Sequence, residues 1–106
     1  MVQNKSTIEE VLQVMKTKEL PAEKNYSFIV AIEEKIKGDI DLLFGRLAGG
    51  HIHEIQSKIG YAKNLLDLVI ESKGAFEYEK ALQSAIEQLE AILGLYHKAG
   101  VSTQIK

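Results

Sequence analysis

The sequence predicts an all-α protein: a helical hairpin that forms a four-helix bundle. Apolar residues recur at spacings of three and four along nearly the whole chain, the period of one helix face, and no segment alternates as a strand would. Gly49-Gly50, Lys73-Gly74 and the single proline punctuate the periodic segments. The spacings average close to 3.5, the repeat of a supercoiled bundle.

Ile8, Val11, Leu12 and Met15 open the pattern, with Ser6 and Glu9 as a capping box, and predict a first helix over residues 6–19. Pro21 suits the first turn of a second helix, where its missing N–H does no harm. Ile29, Ile32, Ile36, Ile40, Leu43 and Leu47 continue the stripe up to Gly49-Gly50. Each Gly costs about 1 kcal/mol relative to Ala inside a helix. Beyond the pair, Ile52, Ile55, Ile59, Ala62, Leu66 and Val69 repeat the pattern as far as a stop at Lys73-Gly74. Tyr78, Leu82, Ala85, Leu89, Ile92 and Tyr96 form the last stripe, which ends near Ala99-Gly100. The expected organisation is a short helix over 1–20, a hairpin or bundle over 21–100 and a frayed tail over 101–106. Gly94 weakens the last helix unless another backbone packs closely there.

Two architectures satisfy this pattern; the homodimer is the expected one and the single-chain bundle its alternative. With a turn at Gly49-Gly50, the chain is a single-molecule up-and-down bundle. With a helix running through residues 22–73 and paired with 76–98, two chains must associate as a homodimer.

Composition narrows the function. Residues 1–50 carry 7 basic and 8 acidic side chains, and residues 51–106 carry 6 and 7, so neither half offers a phosphate-neutralising surface. A nucleic-acid partner and a basic membrane-surface helix are therefore not expected. No apolar run approaches the ~20 residues of a membrane span. The N-terminus lacks the basic and apolar regions of a signal peptide, and the expected compartment is the cytoplasm. With no cysteine there is no disulfide, thiolate metal site or Cys nucleophile.

The chemistry-bearing segment is Phe44 to Leu66, FGRLAGGHIHEIQSKIGYAKNLL. Gly45, Arg46, Leu47, Ala48, Gly49 and Gly50 lead into His53, Glu54 and Ile55, with Ile59 on the next apolar position. This string resembles the phosphoacceptor box of sensor histidine kinases, closely over about 25 residues and as a hairpin over 30–98. The resemblance implies His53 as phosphoacceptor, Glu54 as its base and Ser57 as a weaker auxiliary. Arg46, Gln56 and Lys58 would contact the partner or the phosphate. In that family two chains form the four-helix bundle, and the His passes phosphate to an Asp of a response-regulator receiver domain. Ser57 stands where the family has Asn or Thr, and Lys58 where it commonly has Pro. Nothing after residue 98 corresponds to the ATP-binding domain, so the chain is expected not to be an autonomous kinase and to depend on one in trans.

The helical period supports one part of this without the resemblance. Following the stripe from Ile59 through Ile55 and His51 to Leu47, His53 falls on the opposite, solvent-facing side. His51, near the stripe, reads as semi-buried at a helix crossing.

No cofactor is implied. A metal site is not expected, because the His51/His53 pair diverges on a helix and no Glu-x-x-His pair accompanies it. Arg46 and His51 also fit a loose pattern of helical ribonucleases, but a basic RNA surface is missing. The rival to phosphotransfer is a non-catalytic helical adaptor that binds a kinase or receiver domain. The blandest reading is a bundle with no signalling role.

Overall fold

The computed structural model describes residues 6–72 and 75–105, apart from the side chains of Ala75 and Phe76. The stop expected at Lys73-Gly74 lies outside the described residues. Four helices follow in order: α1 (Ile8–Lys16), α2 (Ala22–Phe44), α3 (Gly49–Ser72) and α4 (Ala75–Ala99).

Helix α1 is held at both ends by local chemistry. Thr7 accepts from the Glu10 amide at 3.1 Å while Glu10 accepts from the Thr7 amide at 3.0 Å. This capping box lies one residue beyond the Ser6/Glu9 pair expected from sequence, and α1 is shorter than the expected 6–19. Tertiary pairing sets that register: the Ile8 amide donates to the Thr103 carbonyl, and Thr7 bridges Gln104. Lys18, in the left-handed region at φ 59°, turns the chain out of α1. Pro21 then stands as N-cap of α2, one position before the helix proper.

The helix does not run on through residues 22–73. Gly45 closes α2, the chain turns over 46–48, and Gly49-Gly50 become the first residues of α3. The glycine pair is thus a weak start rather than the turn itself. Glycines at 45, 49 and 50 lower helix propensity across six residues, and reversing there lets Leu43 and Ile52 both enter the core, at 0% and 1% exposure. The four-helix bundle is consequently assembled within one chain, as in the first of the two architectures. The reason the sequence offered for a homodimer, a continuous helix needing a second chain, falls away.

Side-chain pairs give the directions. Lys63 reaches Glu33 between α3 and α2, while Lys16 pairs with Glu90 and Glu9 with His97 between α1 and α4. Asn25 meets Tyr78, and Asp39 meets Tyr96, so α2 and α4 run parallel with α3 opposed to both. Most of the predicted stripe forms the core: Ile29, Ile32 and Ile36; Ile52, Ile55, Ile59, Ala62 and Leu66; Leu82, Ala85, Leu89, Ile92 and Tyr96 are all buried, while Ile40, Leu47 and Tyr78 are only partly buried against it. The molecule measures 41 × 37 × 18 Å, about two helix layers through its thin axis. Each long helix therefore keeps an outward face.

Residues 101–105 are not frayed. Val101 and Ile105 are buried, and the Ile105 amide donates to the Ser6 carbonyl, so this segment straps α1 to the bundle.

Candidate functional site

Ile52, Ile55 and Ile59 are drawn into the core, and the same helical turn aims His53, Gln56 and Ser57 at solvent. The expected outward phase of His53 is what the structure has. Ser57, one turn on, places Oγ 3.4 Å from His53 Nε2, a weak contact at the outer edge of hydrogen-bond length.

His51 is half-buried, as expected. Its Nε2 lies 3.4 Å from Lys98 Nζ and its Nδ1 3.6 Å from Glu54 Oε1. Glu54 also lies 3.9 Å from Lys58 Nζ. The described contacts of Glu54 therefore go to His51 and Lys58, not to His53. Both exceed hydrogen-bond length between partly exposed groups, so they hold the carboxylate weakly.

Arg46 is placed elsewhere. Its Nη1 donates to the carbonyls of Ala99 at 3.4 Å and Gly100 at 3.1 Å, capping carbonyls that the end of α4 leaves unpaired. Gly100, at φ 69°, is the left-handed residue that ends α4, a conformation a side chain would strain. Of the six residues singled out from sequence, His53, Gln56 and Ser57 share one exposed face, Glu54 and Lys58 flank it half-buried, and Arg46 serves the fold.

That face extends further than the motif. Tyr61 and Leu68 are 52% and 66% exposed, and the series 53, 57, 61, 64, 68 advances by 4, 4, 3 and 4, so both lie on the His53 side. Part of the signal was present in the spacing: Tyr61 and Leu68, like Leu65 and Ile70, are apolar residues of α3 out of phase with its core stripe, and Tyr61 and Leu68 are the two that fall on the His53 side. Among the described residues, no group of three or more His, Asp or Glu side chains is placed to hold a metal ion, and no helix is long and apolar enough to cross a membrane.

A second polar cluster lies between α2 and α4, away from this face. Asp39 Oδ2 accepts from Lys35 Nζ at 2.9 Å and from the buried Tyr96 hydroxyl at 2.8 Å, and Lys35 Nζ sits 5.2 Å from the Tyr96 ring centroid. Burial, and then the bond to Asp39, raises the Tyr96 phenol far above its ordinary value, so it stays a donor. Comparison of the chain with protein families, characterised proteins and solved structures gives no match, so geometry and sequence pattern carry the functional reading.

Proposed function

We propose that this chain is a histidine phosphotransfer module of two-component signalling, with His53 as phosphoacceptor. The observation that carries the reading is the outward placement of His53 on α3, within the GRLAGG-HIHEI string. The neutral imidazole supplies a nitrogen lone pair, which attacks the γ-phosphorus of ATP held by a separate kinase domain. The N–P bond forms, the bond to the ADP oxygen breaks, and the second ring nitrogen releases its proton. A receiver-domain Asp carboxylate then attacks phosphorus, the N–P bond breaks, and the second ring nitrogen takes a proton back, which restores the neutral imidazole. With the Ser57 hydroxyl as donor, Nε2 is the ring nitrogen that bears the lone pair. Glu54 becomes the proton acceptor by exchanging its weak contacts to His51 and Lys58. Tyr61 and Leu68 provide an apolar margin on which a receiver domain docks beside His53. The chain supplies acceptor and base; the donor and the final acceptor come from other cytoplasmic proteins.

One observation favours a second reading, a non-catalytic adaptor that binds a kinase or receiver domain. Arg46 is committed to the end of α4 and Glu54 faces away from His53, so the scaffold persists while part of the expected machinery points elsewhere. Incubation with ATP and a kinase domain from a related system distinguishes the two. Phosphotransfer gives an acid-labile phosphate on the chain that disappears in His53→Gln. An adaptor takes up no label, and its receiver binding survives His53→Ala unchanged.

A further inference from the structure

Helix α1 is seated by contacts remote in sequence and tethered by a short link. Ile8, Val11, Leu12 and Met15 are buried. The hydrogen bonds and ion pairs that leave α1 reach α4 and the strap of residues 101–105. The Ile8 amide donates to the Thr103 carbonyl, Glu9 meets Thr103 and His97, and Lys16 meets Glu90. The tether to α2, residues 17–21, reverses the chain at one residue. Lys18, at φ 59°, is the one non-glycine residue with a positive φ among the described residues. There its Cβ crowds the following carbonyl oxygen, a strain that glycine escapes. The rest of the tether is ready to straighten. Pro21 is extended, with ψ 158°, and it keeps Leu20 before it out of the α region.

Turning Lys18 to an extended conformation relieves that strain and carries α1 off its own bundle. A released α1 would expose its apolar stripe to water. The surface that matches it is the seat it left, with His97 placed for Glu9, Glu90 for Lys16 and the Thr103 carbonyl for the Ile8 amide. A second copy of the chain carries the same seat. We infer that α1 is an exchangeable element, so that two copies trade their α1 helices and each seats the other's between α4 and the strap. The exchanged pair regains the contacts of both helices and frees both Lys18 residues from the left-handed region. Association opposes it, so exchange rises with protein concentration. The outer face of α3 takes no part, which makes the inference independent of the role of His53.

The chain has no cysteine, so an introduced disulfide reports whose α1 sits in which seat. Thr7 and Gln104 form an antiparallel bridge flanked by the Ile8–Thr103 and Ile105–Ser6 bonds. That is the closer type of antiparallel pair, within disulfide reach. Light scattering of the parent at about 1 mM should show dimer that dissociates on dilution. Equal amounts of isotope-labelled and unlabelled Thr7→Cys/Gln104→Cys chain, held reduced at about 1 mM and then oxidised, should give covalent dimers. Mass spectrometry should find the 7–104 disulfide joining labelled to unlabelled chains. An association through any other surface closes each disulfide within one chain. Lys18→Gly, which relieves the strain without touching a contact of α1, should weaken dimerisation at least about tenfold, and Lys18→Val should strengthen it. A parent that stays monomeric at about 1 mM, dimers whose 7–104 disulfides all close within one chain, or a Lys18→Gly chain that dimerises as strongly as the parent overturns the inference.

Discussion

Glu9 accepts from Thr103 Oγ1 at 2.7 Å and lies 2.8 Å from His97 Nε2, joining α1 to both the strap and the end of α4. The Thr103 bond first, and then His97, lowers its pKa from 4.5 to about 2. Between those values the unfolded chain holds a proton at Glu9 that the folded chain does not. Its contribution is therefore complete above the unfolded value and lost as pH falls toward 2. The side chain is 43% exposed, so solvent screening holds this contribution to about 1 kcal/mol or less. Urea midpoints of the parent and Glu9→Gln should differ at pH 6 and converge as the pH is lowered toward 2. Tyr96→Phe has a larger expected effect, because it removes a buried hydroxyl that donates to a carboxylate. Loss of about 1–3 kcal/mol is expected from denaturant titration at neutral pH. The phase of His53 was legible from sequence because the period of α3 sets it. The contacts of Glu54 and Arg46 were not, because long side chains choose among neighbours that only the assembled fold brings within reach.

Helix existence and core faces were readable because the stripes of α2, α3 and α4 each repeat over four or more turns; the ends were less so. Ser6 and Thr7 are equally good caps on local chemistry, and the pairing of Ile8 with Thr103 selects Thr7. At 45–50 the glycines allowed either a break or a continuous helix, and the break is decided by Leu43 and Ile52 reaching a common core. Gly94 poses a question that sequence could not answer: whether another backbone needs its lack of a side chain. A Cβ built there meets nothing within 4 Å, so no close packing demands glycine. Gly94→Ala should therefore stabilise α4 by about 0.5–1 kcal/mol, visible as a higher thermal midpoint with an unchanged spectrum.

In the whole molecule, the strap is the feature that local sequence hid most completely. Val101-Ser102-Thr103-Gln104-Ile105 has no helical period, and it follows a glycine that ends α4, so a frayed tail was the natural expectation. Two well-spaced apolar residues seat it, because Val101 and Ile105 are both buried and backbone bonds tie Thr103 and Ile105 to the start of α1. Deleting residues 101–106 should cost about 3 kcal/mol or more, from the burial of Val and Ile alone, and should lower the urea midpoint substantially. A disordered tail would leave that midpoint where it was. The same compactness leaves the outer face of α3 exposed, with His53, Ser57, Tyr61 and Leu68 on it.

The central claim concerns one nitrogen on that face. Treating the chain with ATP and a kinase domain, then mapping the phosphate by mass spectrometry under conditions that preserve phosphohistidine, tests it most directly. The account predicts phosphate on His53, absent from His53→Gln and retained in His51→Gln. Phosphate on His51 or His97 instead, or no phosphate on the chain while the kinase domain phosphorylates its own partner, contradicts it.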